Sequence, residues 1–118
     1  MIVTCGEAIV DLVPEAGPDG GVLFRPALGG SLFNVALGVA RLGGRAGFLW
    51  ELSTDQFGTL FAEALAEAGV DRRLLRTSDR LTPVAVVDLS GPEPRYTIAD
   101  PGRLMATFDA AGAEGALA

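Results

Sequence analysis

Short β-branched runs alternate along the chain with longer stretches of helical spacing. Ile2–Cys5 is an apolar run that fits a buried first strand, and Ala8–Val13 extends it with Asp11 as its only charge. Pro14–Gly21, "PEAGPDGG", is turn chemistry, and "VLFRPAL" after it reads as a short exposed strand ended by Pro26. Ser31–Leu42 carries Phe33, Ala36, Leu37 and Ala40 on one face and Leu32, Val35, Val39 and Leu42 on the other. A helix apolar nearly all round is expected to be buried. Its ends are signalled by Ser31 as N-cap, Arg41 in the last turn and Gly43 just beyond.

Ala46–Leu52 is a further buried-strand candidate, and Ser53-Thr54-Asp55-Gln56 resembles a capping box opening a helix that runs to Ala68 and stops at Gly69. Phe57, Leu60, Phe61, Ala64, Leu65 and Ala68 recur there at helical spacing opposite Glu63 and Glu67, so this helix packs on one side. "VDRRLLRTSDRLTP" reads as a polar connection, and "VAVVDL" and "RYTIA", divided by "SGPEP", as a hairpin. Asp100–Ala118 gives a weak helical signal. Strand, helix, strand, helix predicts a layered α/β fold with a largely parallel sheet, because parallel strands need crossovers. Two such strands are too few, and the chain is expected to be the first part of a larger α/β domain.

Composition narrows the function. Hydrophobic residues make up 49% of the 118 positions, yet Gly, Pro or charge interrupts every apolar run before the roughly 18 residues that a membrane span needs. The opening has no basic region and carries Glu7 and Asp11, which argues against a signal peptide and for a cytoplasmic location. A single cysteine excludes an internal disulfide, and the lack of histidine excludes the common zinc sites. Cys5, lying in an apolar run, is expected to be inert core. All 9 basic residues are arginine, so a P-loop lysine, a Schiff-base lysine and a histidine base are absent from these residues. A net charge of −6 disfavours nucleic acid as a partner. No two glycines lie two apart, which removes the dinucleotide-binding fingerprint.

The candidate chemistry lies around one amide. Asn34 stands in the first turn of an otherwise apolar helix, and a buried amide must be satisfied, either by a nearby carbonyl or the Ser31 cap, or by a ligand. Gly29 and Gly30 precede that helix, where missing β-carbons let a ligand approach free N–H groups. Asp11, a carboxylate in an apolar strand, is a second acceptor for hydroxyl groups or else a solvated strand end.

The segments "GEAIVDLVP", "GGSLFNVALGVARLGG", "FLWELSTDQFG" and "AEAGVDRRLL", in this order and with a basic-Pro stretch between the first two, resemble the amino-terminal part of the PfkB-type carbohydrate kinases over residues 1–102. The fructokinase and 2-keto-3-deoxygluconate kinase branch is the nearest, and Gly-Gly-x-x-x-Asn-x-Ala is the most specific element. The resemblance implies the N-terminal portion of a ribokinase-like three-layer α/β sandwich with a small β lid, whose strands would be residues 8–13, 22–28, 84–89 and 95–99. It implies transfer of the ATP γ-phosphoryl group to a hydroxyl of a small sugar, with ATP and Mg2+ serving the complete enzyme. Asp11, Gly29, Gly30 and Asn34 would bind the sugar, the lid would offer a homodimer contact, and the catalytic Asp of a Gly-x-Gly-Asp motif is expected beyond residue 118. Against the pattern of the family it resembles, Leu32 stands where a small residue is expected, with bulky Phe33 beside it; Trp50 and Ser53 stand where glycines are expected and Thr54 where an acid is, and Ala99 and Asp100 stand where an aromatic and a cation are common. The alternative is a truncated or degenerate, non-catalytic sugar-binding or dimerisation module.

Overall fold

In the computed structural model, which describes residues 1–117, the elements run β1 (Ile2–Cys5), β2 (Ile9–Ala16), β3 (Val22–Gly29), α1 (Ser31–Arg41), β4 (Ala46–Ser53), α2 (Gln56–Ala68), β5 (Leu75–Ser78), β6 (Val84–Asp88), β7 (Arg95–Ala99) and α3 (Leu104–Thr107), with a final 3-10 turn at Glu114–Leu117. They sort into two sheets. The first has the order β1-β4-β5 and is wholly parallel. The second has the order β3-β2-β6-β7, antiparallel except where β2 and β6 run together. The second sheet projects from the first, so the radius of gyration is 15.6 Å where a sphere-like domain of this length would have about 13–14 Å.

The core sits where α1 and α2 cover β4. Phe33 of α1 meets Phe48 of β4 edge-on at 6.0 Å and Phe61 of α2 at 4.9 Å, and all three rings are fully buried. Each edge-to-face pair adds about 0.5–1.5 kcal/mol beyond the area it buries. Both helices end as the glycines announced. After α1, Gly43 at φ 84 donates to the Ala40 carbonyl and Gly44 to that of Val39; after α2, Gly69 at φ 77 donates to Ala66 and Val70 to Leu65. Left-handed glycines thus close the last carbonyls of each helix.

Several expectations are corrected. Ala8–Val13 does not extend the first strand: the chain leaves the first sheet after Cys5 and starts a new strand at Ile9 in the second. Strand β2 runs through Pro14 to Ala16, and β3 through Pro26 to Gly29. Both prolines are tolerated because β3 is an edge strand and β2 pairs with β6 only over Val10–Leu12. The supposed polar connection contains β5, a strand too short to show a period but fixed by pairing Trp50–Ser53 with Leu75–Ser78. Cys5 is exposed, not core. Thr4 turns under α1, donating its hydroxyl to the Leu32 carbonyl at 2.9 Å, so its neighbours in β1 face the side that no helix covers. Helix α1 is not buried all round either: Phe33, Ala36 and Leu37 are inside, whereas Asn34 and Val35 are exposed and Leu42, just past the helix, is 91% exposed. Of the weak helical signal over Asp100–Ala118, only α3 and the final 3-10 turn form, and Ala118 lies outside the described residues.

The helix starts also differ from expectation. Gly30, at φ 110, is the N-cap of α1, and no side chain caps that helix. At α2 the cap is Asp55, not Ser53: the Asp55 carboxylate accepts the Gly58 N–H at 2.9 Å, and Ser53 Oγ accepts the Asp55 N–H at 3.0 Å. The same carboxylate accepts the backbone N–H of Thr82 at 2.8 Å and its hydroxyl at 2.7 Å. Burial pushes the Asp55 carboxyl up, but the Thr82 and Gly58 N–H groups and the hydroxyl outweigh it and hold the group below its ordinary 3.8.

Two outcomes test this packing. A β-carbon at Gly58 would stand 1.8 Å from the Ser53 carbonyl oxygen, whereas one at Gly38 would meet nothing. Gly58→Ala is therefore expected to lose about 1–3 kcal/mol in denaturant unfolding, and Gly38→Ala to gain about 0.5–1 kcal/mol by helix propensity. For Asp55, whose folded pKa is depressed, the stabilisation is complete above 3.8 and is lost as pH falls from there through the folded value. Acid unfolding followed by circular dichroism should accordingly show a shallower fall below pH 3.8 in Asp55→Asn than in the wild type.

Candidate functional site

The chain crosses between its two sheets at Gly6–Ala8 and returns at Gly29–Gly30, and the crossings touch. A β-carbon on Gly30 would stand 2.1 Å from the Glu7 carbonyl oxygen, and its φ of 110 is one that other residues rarely adopt. One on Gly29 would stand 2.8 Å from Asp11 Oδ2 and 3.2 Å from the Ile9 carbonyl. Position 30 has to be glycine for this approach, whereas at Gly29 the nearest atom belongs to the movable Asp11 side chain. The crossing places the Asp11 carboxylate directly against backbone at the entrance to α1.

Strand register fixes what surrounds Asp11. It is paired with Ala27 of β3 on one side and Ala85 of β6 on the other, and Ala85 in turn with Ile98 of β7. Cross-strand partners point to the same face of a sheet, so the carboxylate is flanked by two methyl groups and leaves its oxygens open. Asp11 is half-buried, and it accepts no hydrogen bond from the described residues. A half-buried carboxylate without a partner is an acceptor awaiting a donor.

Asn34 lies one turn into α1, its backbone N–H donating to the Gly30 carbonyl at 3.0 Å. The amide is exposed rather than buried, which removes the argument that it must be satisfied inside the protein. With Gly30 bringing no side-chain cap, the first-turn N–H groups of α1 and the Asn34 amide both remain available. The structure thus sets Asp11 against Gly29, with Gly30 next in the chain packed on Glu7, and places Asn34 one helical turn further on. Ala27 and Ala85 escaped notice in the sequence, because nothing local encodes the register between β2 and β6.

The unusual residues mostly serve packing. Phe33 points into the core, and the Leu32 side chain lies over Gly6, where an added β-carbon would be 2.6 Å from Leu32 Cδ1. Trp50 is buried with its ring 4.5 Å from that of Phe108. Ser53 supports the Asp55 turn, and Thr54 is exposed. Asp100 accepts the N–H groups of Leu104 at 3.0 Å and Met105 at 2.9 Å, starting α3.

A cleft of about 610 Å³ lies elsewhere, lined by Pro14, Phe24 and Val86 among others. These alternate with Asp11 along their strands, so the cleft opens on the opposite face of the second sheet. Among the described residues, no three carboxylate, cysteine or histidine side chains converge to hold a cation. No helix of the described residues is long and apolar enough to cross a membrane.

Known proteins resemble this arrangement. The chain is 43% identical over 86 residues to a fructokinase of Escherichia coli, an alignment covering 72% of this chain and 27% of the relative. A fructokinase from Xylella fastidiosa, solved with bound ATP, superposes with a TM-score of 0.80 at 33% identity, covering 91% of this chain and 32% of that one. A fructokinase from Vibrio cholerae O395, solved in its fructose-, ADP- and calcium-ion-bound form, superposes with a TM-score of 0.67 at 30% identity, covering 82% and 32%. The chain spans about a third or less of the length of these relatives. The family described as "pfkB family carbohydrate kinase" matches residues 1–113. With Asp11 laid against Gly29 at the head of a glycine-bounded helix, this chain belongs to the pfkB family of carbohydrate kinases, of which it forms an N-terminal portion of the ribokinase-like fold.

Proposed function

We propose that the protein carrying this chain phosphorylates a small sugar, moving the γ-phosphoryl group of ATP to a sugar hydroxyl, with fructose the first candidate and 2-keto-3-deoxygluconate the second. The observation that carries this reading is the open Asp11 carboxylate, set against Gly29 and flanked by Ala27 and Ala85. Vicinal sugar hydroxyls donate to the two carboxylate oxygens, and the partly exposed Ala27 methyl packs against the C–H face of the ring. Gly29 and Gly30 let the sugar lie on backbone, and the Asn34 amide donates to one hydroxyl while accepting from another. These groups bind and orient the sugar, so that one hydroxyl faces the incoming phosphoryl group.

The fructose- and ADP-bound relative and the ATP-bound one support a sugar and a nucleotide as the two substrates. The residues of this chain do not themselves fit ATP or Mg2+, since they lack a Gly-x-Gly phosphate loop and show no converging cation ligands among the described residues. The catalytic Asp belongs, on this reading, to sequence beyond residue 118. The second sheet acts as a lid that keeps water from the transferred phosphoryl group. Its exposed Leu23, Phe24, Tyr96 and Ile98 support a homodimer contact through that lid. A cytoplasmic location, where both substrates are found, agrees with this activity.

A second reading, a non-catalytic sugar-binding or dimerisation module, is favoured by the same exposed apolar side chains. Phosphorylation separates the two. ADP release on adding fructose or 2-keto-3-deoxygluconate to the purified protein with ATP and Mg2+ is expected; sugar binding or dimerisation without turnover establishes the second reading. By calorimetry, Asp11→Ala and Asn34→Ala are each expected to weaken fructose binding by about 1–3 kcal/mol, with the melting temperature unchanged. Unaltered affinity in both variants would show these residues to be structural.

A further inference from the structure

Asp55 takes no part in the sugar site, yet its carboxylate lies at one end of a short path to Asp11. It receives three hydrogen bonds at 2.7–2.9 Å, from the Gly58 N–H, the Thr82 N–H and the Thr82 hydroxyl. Gly58 belongs to the first turn of α2, on the first sheet, and Thr82 precedes β6, in the second. The residue after Thr82 is Pro83, whose carbonyl accepts the Val10 N–H at 3.0 Å. Val10 adjoins Asp11, and the next register pairs are Val10 with Val84 and Asp11 with Ala85. Thr82 is buried, Pro83 and Val10 fully so.

We infer that Asp55 is a positioning residue for the sugar site: by holding Thr82 it anchors the head of β6 to α2, and through the Pro83 carbonyl it fixes the part of β2 that carries Asp11. The inference rests on the reading that Asp11 receives the sugar. Parallel pairing of β2 with β6 extends over only Val10–Leu12, and beyond Leu12 the strand is held by β3 alone. The start of β6 is therefore where β2 is joined to the body of the protein, and two charge-assisted hydrogen bonds from one residue make that start rigid.

Because Asp55 also caps α2, replacing it mixes loss of the helix start with loss of the tie. Thr82→Val is the cleaner change, keeping the shape and the backbone N–H while deleting one hydroxyl. In the purified protein, Thr82→Val is expected to raise the fructose Kd about tenfold and to speed amide exchange at Val10 about tenfold, with exchange at Leu65 in the core of α2 unchanged. Thr82→Ser, which keeps the hydroxyl, should return both values towards wild type. Unchanged exchange at Val10 overturns the tie. Equal acceleration at Val10 and Leu65 reduces it to general stability, and faster Val10 exchange with unaltered fructose affinity shows that it does not position Asp11. If the wild type binds no fructose, the sugar reading of Asp11 falls, and the exchange comparison alone decides whether Asp55 holds β2.

Discussion

The contact between Gly30 and the carbonyl of Glu7 is the constraint on which the rest of the arrangement depends. The chain leaves its first sheet at Gly6–Ala8 and returns at Gly29–Gly30, and at that crossing a β-carbon on Gly30 would stand 2.1 Å from the Glu7 carbonyl oxygen, leaving no room for one. A side chain at Gly30 would force the backbones apart, and with them the strand carrying Asp11 from the helix carrying Asn34. One close approach therefore defines the junction of the two sheets and fixes how the strand carrying Asp11 meets the helix carrying Asn34.

The site is built on regular elements rather than on loops. Asp11 is held within a strand paired on both sides, and Asn34 is held on a helix whose opposite face is locked into the core by Phe33, Phe48 and Phe61. On the proposed reading, rigid support of this kind sets both side chains in place before the sugar arrives, which lowers the ordering cost of binding. The second sheet differs in character. Strand β7 is exposed along its whole length and lies at the edge of the sheet, paired with β6.

The residues that depart from the family pattern fall largely outside the surroundings of Asp11. Phe33 and Trp50 enlarge the core, Leu32 covers Gly6, and Asp100 starts a short helix where a cation would otherwise have stood. Their side chains are engaged in packing or in starting helices, whereas the residues paired with Asp11 across the sheet are both alanines.

Periodicity in the sequence determined most of the elements, because helical spacing and glycine stops are local signals: α1 and α2 end at Gly43 and Gly69 for reasons confined to the last turn of each helix. The pair Gly29-Gly30 with Asn34, and the order of the segments around them, were also enough to identify the family. Tertiary structure decided the rest. Proline looked like the end of a strand at positions 14 and 26 until the pairing showed which N–H groups were needed. Cys5 and Asn34 looked buried because an apolar neighbourhood in sequence says nothing about which face another element covers. The flanking of Asp11 by Ala27 and Ala85, and the tie from Asp55 to Thr82, depend on register between segments distant in the chain. No local pattern encodes that register, which is fixed only when the sheets assemble and their buried faces select one alignment.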